Sequence, residues 1–174
     1  METWKHIRAI LFLPFIATVA IPGVIVYFGG ADTSGFWASA PATRVILPVI
    51  GAALIVLGLT LMVATIRLFV TIGKGTLAPW NPTQNLVVQG VYRHVRNPTI
   101  SCVFFVLLGE AVGTGSLPLL GGALLFIAVN MIYMPMVEEP GLVKRFGEKY
   151  QEYRRNVPRW IPRMTRWIKS RWQQ

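Results

Sequence analysis

The sequence predicts an all-α, polytopic membrane protein with about four transmembrane helices and a C-terminal amphipathic helix. Three observations predict it. Hydrophobic residues make up 53% of the 174 and charged residues only 14%, with a mean hydropathy of +0.52, whereas about a quarter of a soluble domain is charged. Four apolar runs are each long enough for a bilayer core, which needs roughly 20 residues of helix. Ten of the 17 Lys and Arg fall after residue 140, interleaved with Trp, Ile and Met, a pattern of membrane surfaces rather than nucleic-acid grooves. The net charge of +10 therefore points to anionic lipid headgroups, and no nucleic-acid partner is expected.

The first run, 9–28 (AILFLPFIATVAIPGVIVYF), carries Pro14 and Pro22, which a membrane helix tolerates as kinks. It lacks a small-residue cleavage pattern after it and reads as a retained span. The second, 45–70, is long enough to tilt, with Arg67 close enough to its end to snorkel. The third, 98–115, begins at Pro98 and contains Glu110; the fourth, 117–136 (LPLLGGALLFIAVNMIYMPM), has no charge. Only GTGS separates these two, which predicts a tight antiparallel hairpin. Residues 137–157 read as a charged helix with Val143, Phe146, Tyr150 and Tyr153 on one apolar face. Residues 158–174 (PRWIPRMTRWIKSRWQQ) read as an interfacial helix that binds anionic headgroups. Trp160, Met164, Trp167, Ile168 and Trp172 take one side, while Arg159, Arg163, Arg166 and Lys169 fall mostly on the other and Arg171 breaks the pattern. The expected organisation is one membrane domain, 1–174: a two-helix hairpin over 1–73, a loop, hairpin and acidic-pair helix over 74–157, and a basic tail over 158–174.

Charge placement sets orientation. Lys5 and Arg8 flank the first span, Lys74, Arg93 and Arg96 lie in the 71–97 loop, and everything after residue 137 is strongly basic. The 29–42 loop and the 113–116 turn have no Lys or Arg. The positive-inside rule puts both termini and the 71–97 loop on the cytoplasmic side of a multi-pass integral membrane protein, in the inner membrane if the cell is bacterial. Asn97–Pro98 opens the third span and Glu138–Glu139 follows the fourth, so the hairpin brings them to one cytoplasmic patch. Adjacent carboxylates at the end of an apolar helix need partners, such as a cation or the hydroxyl and ammonium groups of a ligand. A solvated pair that merely fixes orientation is the plainer alternative. Cys102, the only cysteine, excludes an intramolecular disulfide and a Cys-based metal site, and its apolar run marks it for packing. His94 has no second ligand at suitable spacing and His6 is a flank residue, so no metal site is expected. Glu110, near the outer end of its span, is expected to pair with another helix or to snorkel. Read this way, the residues give a polar patch and no reaction.

The stretch GVYRHVRNPTI, followed after the hairpin by EEPGLVKRFGEKYQEYRRNVPRWIP, resembles the integral-membrane methyltransferases of the isoprenylcysteine carboxyl methyltransferase and phospholipid methyltransferase superfamily. Their pattern runs roughly G-x-Y-R-x-x-R-[H/N]-P-x-Y, a helical hairpin, E-E, then F-G-x-x-Y-x-x-Y. The likeness covers residues 74–162 and implies a cytoplasmic cofactor pocket for S-adenosylmethionine. By position, Gln84, Asn85, Leu86, Val87 and Tyr92 would line the cofactor. Asn97, Pro98, Thr99 and Ile100 occupy the H-P-x-Y place, and Glu138 with Glu139 would contact the cofactor's polar end. Carboxylates suit ribose hydroxyls or an ammonium, and the backbone N–H groups of the helix start near Pro98 suit a carboxylate. Two positions depart from the pattern: Asn97 replaces the His, and Ile100 replaces the Tyr and its hydroxyl. Where the prenylcysteine branch has an Arg one turn before the acidic pair, this chain has Met134, which favours a neutral or amine acceptor, or a small thiol, over a carboxylate.

The resemblance thus implies a membrane-embedded, S-adenosylmethionine-dependent methyltransferase with a lipophilic or membrane-partitioning acceptor. That acceptor would be isoprenylcysteine-like, a phospholipid amine or a small thiol, and no catalytic residue is assigned. The alternative is a non-catalytic membrane scaffold or regulatory subunit on the same fold, for which the departures at Asn97 and Ile100 speak.

Overall fold

Proline and glycine punctuate the chain into helices, apolar on all sides up to the end of the hairpin and amphipathic after it. A computed structural model describes residues 14–29, 42–73 and 83–168, and every regular element among them is helical. We number them α1 (Ile16–Gly29), α2 (Thr43–Gly73), α3 (Pro98–Thr114), α4 (Leu117–Phe146) and α5 (Glu148–Asn156). α2 and α4 are long and apolar enough to cross a membrane, and α1 and α3 are shorter apolar helices. Outward-facing Val45, Val49, Val56 and Val63 on α2, with Leu125, Val129 and Ile132 on α4, are exposed, as lipid contact requires. Residues 9–13 of the first expected span, together with Lys5, His6, Arg8 and Lys74, lie outside the described residues.

Packing of α2 on α3 depends on missing side chains. A Cβ on Gly51 would lie 2.5 Å from the Gly113 Cα and 2.6 Å from the Gly109 carbonyl oxygen. One on Gly58 would lie 2.7 Å from the Cys102 carbonyl oxygen. Small residues spaced along a helix let two backbones approach this closely, and dispersion between them replaces the hydrophobic drive that lipid cannot supply. Met62, Cys102, Val103, Leu107 and Ala123 form the core beside this seam, with Ala17 of α1 and Phe126 of α4 packed against it. Cys102 is fully buried and its thiol donates to the Thr99 carbonyl at 2.7 Å, in keeping with a packing role.

The expected hairpin forms. Gly115, at φ 69°, ends α3 in the left-handed region, and the Ser116 hydroxyl caps α4 by accepting from the Leu119 N–H at 3.4 Å. Glu110 borders a small pocket with Ile21 and Ile25 of α1 and Leu119 of α4, and its Oε2 has no hydrogen-bond partner among the described residues. α4 continues past residue 136. Pro135 cannot donate to the preceding turn, which widens into a π-turn over Met134–Glu138 before α-helix resumes over Glu139–Phe146. Gly147, at φ 57°, then breaks the helix expected over 137–157 into two pieces. The apolar face nevertheless persists across the break, with Tyr150, Tyr153 and Val157 packed on Val143 and Phe146.

The C-terminal tail corrects an expectation. Residues 158–168, the described part of the segment expected to be an amphipathic helix, form an irregular strap. Pro158 and Pro162 remove two helical donors, and the remaining polar backbone is used elsewhere. The Arg163 N–H donates to the His94 carbonyl at 3.0 Å, the Trp167 N–H to the Arg93 carbonyl at 3.1 Å, and the Arg96 N–H to the Pro158 carbonyl at 2.9 Å. His94 Nδ1 pairs with the Arg163 carbonyl at 2.9 Å. Trp160 lies against Phe104 and Trp167 against Tyr153, so both rings pack on protein rather than forming a lipid-facing stripe. Lys169, Arg171 and Trp172 lie outside the described residues.

Candidate active site

The segment entering α3 is tied down at both ends. At its start the Gln84 and Asn85 N–H groups donate to the Gly73 carbonyl at 2.8 and 3.3 Å, and the Asn85 amide donates to the Ile72 carbonyl at 3.2 Å. Gly90, at φ 55°, opens a 3₁₀ turn over Gly90–Arg93 that delivers Tyr92 to the interior. The Tyr92 and Thr99 hydroxyls hydrogen-bond each other at 2.7 Å, and the Tyr92 ring meets Phe69 edge-on. Tyr153 of α5 donates its hydroxyl to the Tyr92 carbonyl at 2.7 Å. Burial pushes both phenols well above their ordinary range, so each stays protonated. Tyr153→Phe leaves that carbonyl without its buried donor and is expected to lower stability by about 1–3 kcal/mol, read as a shift in the urea midpoint of detergent-purified protein.

The two acidic neighbours divide. Consecutive helical residues point about 100° apart, so they do not share a partner by default. Glu139 is 1% exposed and is taken up by three arginines. Arg96 Nη1 donates to Oε1 at 2.8 Å, Arg159 reaches both oxygens at 2.6 and 2.9 Å, and Arg154 Nε lies 3.4 Å from Oε2. The fork–fork bond with Arg159 is the strong member, and it holds the Arg159 guanidinium above its usual value. The half-exposed Arg154 adds little. Glu138 is exposed and borders a cavity instead.

That cavity has a volume of about 390 Å³, within the range of small-molecule sites. Tyr92, Asn97, Thr99 and Glu138 give it polarity, and Ala17, Ile100, Val103 and Phe126 form an apolar wall. Of the residues singled out in the sequence, Leu86, Val87, Tyr92, Asn97, Thr99, Ile100 and Glu138 line it together. Gln84, Asn85, Pro98 and Glu139 are not among the lining residues: the first two tie the loop to α2, Pro98 is buried at the start of α3, and Glu139 holds the arginines. Sequence reasoning missed Arg96, Phe69, Leu142, Arg145 and Phe146, which also line the cavity. Spacings of four and seven from Glu138 were the available signal for Leu142 and Arg145.

Two donors in the wall lack partners. Arg96 Nε and the Asn97 side-chain Nδ2 are buried and make no hydrogen bond among the described residues. Buried donors of this kind are rare in folded proteins and, where they border a cavity, fit the oxygens of a ligand.

Protein-S-isoprenylcysteine O-methyltransferase of Schizosaccharomyces pombe is 34% identical to this chain over 85 residues, covering 47% of the chain and 35% of that protein. The chain thus spans little more than a third of this relative's length. The phospholipid methyltransferase family matches residues 46–149, a stretch that contains all but the first three residues of α2, the tied loop, the hairpin and both glutamates. With the helical hairpin, the acidic pair and every cavity-lining residue except Pro14 and Ala17 inside the matched stretch, the chain belongs to the phospholipid methyltransferase family.

Proposed function

We propose that this protein is a membrane-embedded, S-adenosylmethionine-dependent methyltransferase acting on a lipophilic or membrane-partitioning acceptor. The observation that carries the reading is the cavity between the 83–97 segment, α3 and Glu138, in a chain of this family. Its lining suits the cofactor: an available carboxylate, two unpartnered N–H donors, hydroxyls from Thr83 and Thr99, and apolar faces from Leu86, Val87, Leu142 and Phe146.

When bound, the cofactor supplies an electrophilic methyl group on a sulfonium. Glu138 accepts hydrogen bonds from ribose hydroxyls or the ammonium group. Tyr92, fixed by Thr99 and Tyr153, and the aliphatic side chains around it exclude water and keep the reacting groups in line. Positioning of that kind is the main source of rate for a displacement at carbon. The apolar wall from Ala17 to Phe126 receives the acceptor.

The related enzyme is named for an isoprenylcysteine O-methylation. Met134 stands where the prenylcysteine branch has an Arg, so a carboxylate acceptor lacks that charged partner and a neutral or amine acceptor, or a small thiol, is favoured. The four apolar runs support four spans, and the distribution of Lys and Arg supports placing both termini and the site on the cytoplasmic side. In the strap, Ile161 and Met164 are 80% and 97% exposed and supply apolar contact with the membrane interface beside its arginines.

Calorimetric titration of S-adenosylhomocysteine into detergent-purified protein tests the reading. Binding is expected, and Glu138→Gln should weaken it by about tenfold while leaving the thermal midpoint nearly unchanged. Absence of binding at millimolar ligand would overturn it.

A further inference from the structure

The cavity and the small pocket beside Glu110 occupy one groove between α1, α3 and α4. Val103 borders the first and Glu110 the second, two turns apart on α3, or about 10 Å. On the antiparallel α4, Phe126 and Leu119 mark the same interval. Phe126 and Ala17 border both spaces, so their side chains form the partition between them. Ala17 contributes only a methyl group, which leaves the Phe126 ring as the main barrier. That ring is braced. It meets Phe104 edge-on at 6.1 Å between centroids, and Phe104 lies 5.2 Å from Trp160 of the strap. Edge-to-face packing favours one orientation of the ring.

The space on the Thr99 side of the ring is shallow. Thr99, at the polar end, and Val103 are one turn apart on α3, about 6 Å. The cavity's 390 Å³ lies near the lower end of the range for a single small-molecule site, and the methyl donor must share it with the acceptor. On the far side of the ring the pocket holds only about 20 Å³. Its walls are apolar except for Glu110, whose buried Oε2 would be a poor terminus for a hydrocarbon chain.

We propose that Phe126 is a specificity-determining residue: it closes the apolar end of the cavity and so selects a compact acceptor, a small amine or thiol, against one that carries a long isoprenyl or acyl chain. This rests on the methyl-donor reading for the identity of the reaction, while the limit on ligand length rests on the partition itself. A long chain would have to displace the Phe126 ring and with it the stack that runs through Phe104 to Trp160.

The test uses hexylamine and hexadecylamine, each carrying a terminal diazirine, on the full chain in lipid nanodiscs, with labelled residues mapped by mass spectrometry. On irradiation such a group loses nitrogen and either esterifies a nearby carboxyl or inserts into a side chain. In the wild type the hexylamine probe is expected to mark Val103 or Phe126, and neither probe to mark Glu110. Phe126→Ala should open the groove, and the hexadecylamine probe should then mark Glu110 with a yield raised about tenfold or more, the discrimination a closed apolar pocket provides. Glu110→Gln in the same background should remove that mark. Simple loss of stability would not direct the label to one residue. Equal marking of Glu110 in the wild type and in Phe126→Ala overturns the proposal, as does a folded Phe126→Ala in which Glu110 stays unmarked. A hexylamine probe that leaves the wild-type wall unmarked overturns it too. If Phe126→Ala does not fold, Phe126→Val, which keeps part of the wall, is read the same way. A chain that shows the expected pattern and binds no S-adenosylhomocysteine loses the methyl-donor reading and keeps Phe126 as the limit on ligand length.

Discussion

Glu139→Gln is expected to destabilise the protein by about 3–5 kcal/mol, the usual cost of stranding a buried charge by removing its partner. The substitution is nearly isosteric, so little packing changes. What changes is that Arg96, at 8% side-chain exposure, and Arg159, at 24%, lose their shared counter-ion. Arg159 can swing toward solvent, whereas Arg96 cannot, because its own backbone is bonded to Pro158 and its guanidinium is enclosed. The damage should therefore spread from the charge cluster to the strap and to the turn that carries Tyr92. Glu138→Gln, one residue away, should shift stability by less than about 0.5 kcal/mol because its side chain is exposed. Urea denaturation of both variants in the same detergent, followed by tryptophan fluorescence, measures the contrast. Equal losses would show that Glu139 does not organise the region.

Gly51→Leu is expected to abolish the folded state, and Gly51→Ala to cost about 1–3 kcal/mol or more. The atoms that a Cβ would meet, at 2.5 and 2.6 Å, belong to the backbone of α3 and have no rotamer with which to retreat. α2 and α3 would have to separate along the seam, which also passes Gly58 and the Cys102 carbonyl. Dispersion between close backbones falls steeply over such a gap, and nothing else along this seam replaces it. Gly121→Ala, where a Cβ meets nothing within 4 Å, is the matching control and should be neutral or slightly stabilising. Size-exclusion profiles and thermal midpoints in detergent distinguish the two sites.

The hairpin was legible because its signals are local. Pro98 starts a helix, Gly115 ends it, Ser116 caps the next, and charge-free apolar runs lie on either side. Convergence of Asn97 with Glu138 followed from hairpin geometry alone, and both line the cavity. The division between Glu138 and Glu139 was not legible, since it depends on the π-turn at Pro135 and on arginines from two distant segments. Adjacency in sequence suggested a shared task, while helical rotation gave the two carboxylates different surroundings. The strap failed as a helix for a similar reason. Its alternation of Trp and Arg fits an amphipathic pattern, but Pro158 and Pro162 free backbone groups that the 93–96 turn needs. Nor did the pattern reveal the Gly51 seam, because glycine contributes nothing to hydrophobic periodicity.

The strap also orders events during biogenesis. A nascent chain that has reached the end of α5 already contains every described helix and all the described lining residues of the cavity, yet it has no Arg159 to complete the salt-bridge cluster and no Pro158 carbonyl to receive Arg96. Until those last residues emerge, Arg96 is free to turn its fork toward water and Tyr92 sits on an unclamped turn. Completion of the charge cluster beside the cavity thus waits for a segment that adds no helix among the described residues.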